Sequence, residues 1–467
     1  MRHGIRGVTT LIVLILFVSL PEFSRAQETK TVMTLEECIQ LALQSNFNLR
    51  NSFYMKKAAD FDVLKSYRGI LPQVSVSVGR GEIETGPSEY LSNEPVGIDP
   101  ETGNVIYEQR TRKIEKQTRS SSSAGLTVSQ TVFDGGIWWN QIRKAKTDRE
   151  ASEYQYENDR NQVIFQVQQA YFDLIKQKKL LDVYEVAIER SRAQLERSQK
   201  MYELGATAQV DVYRAKVNLG NDRINYLNQK NIFEEAKKKL NLLMGRDPLT
   251  PIDVQPEFRI PGELPELEEL FKTAWQHHPL LKKDLLSLQS SALSVKMAKG
   301  LNFPRISIYL NYDRFHESAI KVFSDYDQNY QIRYGINLSL NLFNGFSDYA
   351  DIQKAELNRK MVREQIEEYK RSLKSEIHKT YQNYLSTLEM IKINEENLQA
   401  AKEEYRLAQE RYNIGAGTQL EVREAQVNLT RAEETLVSTE YNAQLLLAQL
   451  DNQLGLSFTK VKEKLQK

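Results

Sequence analysis

One cysteine, Cys38, stands alone among 467 residues. A lone thiol excludes an internal disulfide and reads as a small apolar packing group. Zinc-ligand spacing is also missing: His277 and His278 are adjacent, so on a helix their imidazoles point about 100° apart, and no metal site is expected. No nucleophile elbow or Walker sequence is present, so neither catalysis nor a cofactor is expected. Charge of one sign is lacking too. With 63 Lys and Arg against 62 Asp and Glu, the formal net charge is +1, which gives no support for nucleic-acid binding. No apolar run reaches the roughly 20 residues of a membrane helix. The most informative absence is local. Neither Ile137 to Leu204 nor Ser347 to Ile414 contains a Gly or a Pro. Without those breakers each stretch reads as one helix, roughly 100 Å long at 1.5 Å per residue.

What is present begins with repetition. MYELGATAQVDV at 201–212 returns as RYNIGAGTQLEV at 411–422, an offset of 210. At that offset Phe133-Asp134-Gly135 meets Phe343-Asn344-Gly345, Ala215 meets Ala425, and Gly245 meets Gly455. Upstream of Phe133 the offset is 232: Leu35-Glu36-Glu37 meets Leu267-Glu268-Glu269, and Leu71-Pro72 meets Phe303-Pro304. The first copy therefore carries 22 extra residues (232 less 210) between about 79 and 125. Units this long are duplicated domains rather than solenoid repeats. The expected division is a first repeat over 27–245, a linker over 246–264, a second repeat over 265–455 and a tail over 456–467.

Residues 1–26 read as a signal peptide. Arg2 and Arg6 precede a short apolar run from Thr9 to Leu20, and Ser24-Arg25-Ala26 is a small-x-small cleavage site. Its removal takes three positive charges and one negative from +1, leaving −1.

Each repeat has the same order of patterns. Val74-Ser75-Val76-Ser77-Val78, Leu126-Thr127-Val128-Ser129, Ile306-Ser307-Ile308 and Ile336 to Leu342 alternate apolar and polar, as strands with one apolar face do. Gly79-Arg80-Gly81 reads as loop, and the longer first loop, about 80–123, is expected outside the cell. Leu373, Ile377, Tyr381, Tyr384, Leu388 and Ile391 step by three and four as a coiled-coil seam. Gly205 and Gly415 end the long helices as C′ glycines, Thr207 or Thr418 caps the return helix, and Asp211 and Glu421 lie in its first turns. Helices over about 34–67 and 266–299, the second broken near Pro279, then complete the length that the return helices lack. Trp138 and Trp139 fit an interfacial belt or helix packing equally well. Four strands cannot close a barrel, and an open edge cannot survive in lipid, so several chains pooling their strands is the favoured arrangement.

This doubled layout, with its tip sequence, resembles the TolC-like outer-membrane efflux proteins over about residues 34–455. The resemblance implies a mostly α fold with a small β part. A homotrimer would form a 12-stranded β-barrel in outer-membrane lipid, continuing into a 12-helix periplasmic α-helical barrel. It also implies the exit duct of a tripartite efflux or type I secretion system, with a periplasmic adaptor and an inner-membrane pump as partners. Carried onto this chain, the periplasmic gate falls on Glu421 and Glu424, one helix face apart by i, i+3, with Tyr412 and Asp211 beside it. Three copies of each acid in a narrow ring would repel one another and favour cations. An Arg expected in the latch is Gly417 here, the acids are Glu rather than Asp, and Arg214 replaces a second acid in the first repeat. Gly205, Ala206, Gly415 and Ala416 are the expected adaptor contacts. A secreted or periplasmic coiled-coil structural protein or adhesin would share the export signal and long helices, but it has no use for four matched strands. A passive porin would conduct freely at rest.

Overall fold

The computed structural model describes residues 32–255 and 264–456. The expected signal peptide, residues 256–263 of the linker and residues 457–467 of the tail lie outside the described residues. In chain order the elements are β1 (Val32–Met33), α1 (Leu35–Ser45), α2 (Phe47–Ser66), β2 (Gln73–Thr85), β3 (Ser88–Ile98), β4 (Val105–Ile114), β5 (Gln117–Asp134), α3 (Ile137–Glu203), α4 (Gln209–Leu243), β6 (Asp253–Val254), α5 (Leu267–His277), α6 (Pro279–Gly300), β7 (Arg305–His316), α7 (Lys321–Ser324), β8 (Tyr330–Ser339), α8 (Ser347–Asn413) and α9 (Gln419–Leu454).

The two breaker-free stretches are unbroken helices of 67 residues each, α3 and α8. Near the sheet, α3 packs between α2 and α6, and α6 in turn packs on α8. Towards the tips α3 packs between α4 and α9, and α9 packs on α8. Each long helix is thus flanked by shorter ones placed end to end, as the lengths require. Cross-helix polar contacts fix the register: Lys56 to Glu153 at 2.7 Å, Arg149 to Asp60 at 2.7 Å and Lys299 to Glu356 at 3.0 Å. The predicted α8 seam is observed, with Leu373, Ile377, Tyr384 and Ile391 buried and Tyr381 and Leu388 packed beside them. The largest core gathers Cys38, Ala42, Val167, Tyr171, Leu174, Leu240 and Met244 where the short helices meet. Burial pushes the Cys38 thiol up to about 12, so it stays protonated and apolar.

The stretch 34–67 is two helices rather than one. Asn46 is extended (ψ 127°), and its side chain accepts from Asn48 and Leu49 N–H to cap α2. The equivalent break in the second repeat is His278 (ψ 119°), whose Nδ1 accepts from Leu280 N–H. Pro279 advertises the second break; a capping Asn gives a weaker signal. Each break receives the glycine end of a return helix. Gly245 (φ +70°) lies where a Cβ would come 2.4 Å from the Ser45 carbonyl oxygen, and Gly455 (φ +69°) where one would come 2.6 Å from His278 Cα. Only glycine holds that conformation at that distance.

This joint makes a pH prediction. Burial lowers the His278 pKa from 6.5 to about 4. The folded chain therefore binds fewer protons than the unfolded one between those values. The histidine's contribution to stability is full above about pH 6.5 and is lost as pH drops towards 4, by up to about 3 kcal/mol per protomer. Asp451, in the last turn of α9, runs the other way: burial raises its carboxyl to about 7, so that group favours the fold as pH falls. The difference between wild type and His278→Asn, which copies Asn46, isolates the histidine. Thermal melts from pH 7 to pH 4.5 are expected to show the variant gaining on wild type as pH falls; parallel curves would refute the assignment.

The main sheet has strand order β2-β5-β7-β8, every neighbour antiparallel. Register aligns the apolar residues across it. Val74 faces Val128, Val128 faces Leu310 and Leu310 faces Tyr334; Val76 faces Leu126, Leu126 faces Tyr312 and Tyr312 faces Ile332. The band is uncovered in the protomer, Val76 being 73% and Ile336 74% exposed. The other face carries Ser75, Thr127, Asn311 and Arg333 in the next row. Below the band, at the joint between sheet and long helices, Leu71, Trp139, Phe303, Leu342, Phe343 and Phe346 are exposed.

The first-repeat insertion is not a loop. Gly79-Arg80-Gly81 lies inside β2, and residues 88–98 and 105–114 form a second ribbon, β3 with β4. Their alternation is mixed with charge, which hid it. The last predicted strand ends at Ser339 rather than Leu342.

Candidate functional site

The two helical tips have one construction. At the first, Gly205 takes φ +73°, its N–H donates to Tyr202 O at 2.9 Å, and Ala206 N–H donates to Met201 O at 2.8 Å. At the second, Gly415 takes φ +74°, donating to Tyr412 O at 3.1 Å, while Ala416 donates to Arg411 O at 2.9 Å. These paired bonds are Schellman closures that satisfy the last helical carbonyls. Gly205, Ala206, Gly415 and Ala416 are exposed, as are the apolar Leu204 and Ile414 beside them. Thr418 caps α9 through Glu421 N–H at 3.2 Å. Thr207 does not cap α4; Ala208 holds that position, and the Thr207 hydroxyl instead donates to Asp211 at 2.7 Å. Asp211 also meets Arg214 at 3.4 Å.

Glu421 and Glu424 share the exposed face of α9, opposite the buried Val422, Ala425, Gln426 and Leu429. Arg411 lies 3.9 Å from Glu421 and donates to Ala416 O at 3.1 Å. At Gly417 a Cβ would stand 3.0 Å from Tyr412 N and 3.1 Å from Arg411 Cβ, so a side chain there would crowd the turn. Arg411 is the cation beside Glu421 on this face. Tyr412 is buried, and its hydroxyl lies 3.5 Å from Ser198 Oγ on α3. Asp211 belongs to the first tip, where its carboxylate bonds Thr207 and Arg214.

Sequence reading missed what joins the two hairpins. A buried polar ladder runs along α3, α4 and α9. Gln194 donates to Gln419 at 2.5 Å. One turn further along, Arg423 grips Asp222 with both nitrogens, at 2.7 and 3.0 Å, and Ser191 donates to the same carboxylate. Gln426 donates to Ser191 at 2.7 Å, and Arg190 meets Glu433 at 2.5 Å. Gln419, Gln426 and Glu433 are seven apart, and that spacing was the available signal: polar residues at heptad intervals on a packed face. The ladder is not fully satisfied. Gln194 Oε1 and the Arg190 Nε and Nη1 atoms are buried with no bond made among the described residues. In a low-dielectric interior each such unpaired group is costly, so the bonds that the ladder does make matter the more.

Among the described residues no group of His, Cys, Asp and Glu is placed to hold a metal ion, and no helix is long and apolar enough to cross a membrane.

Comparison with known proteins agrees with this geometry. The outer membrane protein TolC of Salmonella enteritidis is 21% identical over 456 residues, covering 96% of this chain and 85% of that protein. The Campylobacter jejuni CmeC outer membrane channel superposes with a TM-score of 0.72 at 20% identity, over 93% of this chain and 89% of CmeC. VceC from Vibrio cholerae does so with a TM-score of 0.71 at 17% identity, over 91% and 96%. The model of the outer membrane efflux protein family matches residues 38–246 and 270–456, well over half the chain. The chain therefore belongs to the outer membrane efflux protein family, as an outer-membrane channel with a long periplasmic helical extension.

Proposed function

We propose that three copies of this chain assemble into a gated exit duct. Through it an inner-membrane pump and a periplasmic adaptor would send substrate out of the cell, in a tripartite efflux or type I secretion system. One observation carries the reading: an open four-stranded sheet with an uncovered apolar band continues directly into two helices of about 100 Å. β2 and β8 are free edges, and an open edge in lipid leaves backbone groups unpaired at several kcal/mol each. They run in opposite directions, so β8 of one copy can pair antiparallel with β2 of the next and keep the strand number even. The helical wall has matching open sides. α2 leaves Phe47, Met55 and Phe61 exposed, and α8 leaves Leu357, Met361 and Ile393 exposed. A secreted coiled-coil protein has no need of the apolar sheet face.

In this reading Glu421 and Glu424 ring the periplasmic constriction, Tyr412 and Asp211 support it, and the glycine-alanine tips receive the adaptor. The exposure of both glutamates on one face, with Arg411 alongside, supports the ring. In planar bilayers the wild type is expected to show a small, cation-selective conductance, and Glu421→Ala/Glu424→Ala to conduct more and lose selectivity. Unchanged current and selectivity would return both residues to ordinary helix-terminal acids. A large resting conductance in the wild type would favour a passive pore.

A further inference from the structure

The β3–β4 ribbon stands beyond the four-stranded sheet and is covered by none of it. Its register continues that of β2 and β5. Thr85 pairs with Gln117 and Ser88 with Ile114, so two residues separate the ladders on each strand. Side-chain alternation therefore carries through the break at Gly86-Pro87. Odd-numbered residues of β2 and β5, such as Ser75 and Thr127, lie on the polar face of the sheet, opposite the apolar band. Odd-numbered residues of β3 and β4 extend that same face, and there its character changes. Leu91, Pro95 and Tyr107 lie on it among the uncharged Asn93, Gln109 and Thr111, and past a register shift between Pro95 and Gly97, Ile98 joins Val105, so the apolar part of this face gathers at the tip of the ribbon. Leu91, Tyr107 and Ile98 are 66%, 62% and 67% exposed. The charges on this face, Glu89 and Lys113, pair with each other at 2.9 Å near its base. The reverse face carries the charged Glu94, Glu108, Arg110 and Arg112, with Tyr90, Ile106 and Ile114 among them.

A two-stranded ribbon with an open apolar face is marginal in water by itself. Lipid does not cover it, because the lipid side of the barrel continues into the charged face. We propose that the apolar faces of three such ribbons, one per copy, pack on one another over the barrel axis and cap its outer mouth. The proposal rests on the trimeric reading above. In a closed barrel the polar sheet face looks towards the axis, so its continuation does too. At that height the surfaces it meets are its own equivalents. The dimensions allow it: twelve strands about 4.8 Å apart, tilted about 40°, make a barrel about 24 Å across. β3, at 11 residues, is about 35 Å long, which exceeds the radius it must span. Gly86 has open space around it and gives the ribbon a place to lean.

The test is disulfide cross-linking between copies in a Cys38→Ala background, with native mass measured in parallel. Tyr107→Cys is expected to give covalent dimers of the chain under mild oxidation, while Arg110→Cys, on the charged face, is not. In the Glu421→Ala/Glu424→Ala background, adding Leu91→Glu/Tyr107→Glu is expected to raise the conductance further. A trimeric native mass with no Tyr107→Cys cross-link, or with equal cross-linking at both positions, would overturn the cap and leave the duct intact. An unchanged conductance would deny that the ribbons close the mouth. A monomeric native mass would remove the trimer, and the cap with it.

Discussion

Arg423→Ala is expected to loosen the second helical hairpin from the first by about 3 kcal/mol per protomer and to raise the single-channel conductance. The Arg423 guanidinium is the bidentate partner of Asp222, whose side chain is 9% exposed. Removing it leaves a buried carboxylate with a serine hydroxyl as its remaining partner, and breaking a buried pair costs roughly 3–5 kcal/mol. The low end applies because the Arg423 side chain is 21% exposed. The loss falls where it matters for gating. Asp222 sits on α4 and Arg423 on α9, two residues from Glu421 and one from Glu424, so the pair ties the helix carrying the proposed ring to the other hairpin. Replacing both partners by apolar groups, as in Asp222→Leu/Arg423→Leu, removes the uncompensated charge and should recover much of the stability. Hydrogen exchange over residues 405–430 and conductance report the two halves of the expectation. If Arg423→Ala exchanges and conducts as wild type does, the pair is not a clamp.

Much of this fold was legible because it is written twice. The absence of Gly and Pro between Ile137 and Leu204 specifies α3 nearly to the residue, and the tip glycines mark where it must end. Patterns that rest on one strong signal were readable in this way. What escaped depends on weaker or longer-range chemistry. The Asn46 break has no proline to announce it, although Asn46 aligns with His278 at the 232-residue offset. The ribbon inside 80–123 escaped because its alternation shows only once the register opposite β4 is known. The Asp222–Arg423 pair joins residues 201 apart on different helices, and neither residue has a counterpart in the other repeat. The proposed ring residues were found by resemblance; the ladder that holds their helix came from side-chain geometry.

Duplication also makes the last prediction a controlled one. Gly135 and Gly345 occupy equivalent positions where a strand turns into a long helix, with φ +71° and φ +67°. Their surroundings differ. A Cβ on Gly135 would stand 2.2 Å from the Gly300 carbonyl oxygen and 2.9 Å from Phe303 Cβ, whereas a Cβ on Gly345 meets nothing within 4 Å. Gly345→Ala should therefore cost little beyond the left-handed backbone, about 1 kcal/mol. Gly135→Ala adds a clash with main chain that no rotamer change relieves, for a total of about 3 kcal/mol or more. Relief would require moving the end of α6 away from the start of α3. That seam is tight from the other side as well, since a Cβ on Gly300 would come 2.7 Å from Ile137 Cγ1. The sheet hangs on this joint, so the damage should appear as failed assembly rather than as a faulty gate. Far less Gly135→Ala than Gly345→Ala should reach the outer-membrane fraction as assembled channel, and the protein that does arrive should conduct normally. Equal recovery of the two would mean that the close approach of residues 135 and 300 is not what holds sheet and tunnel together.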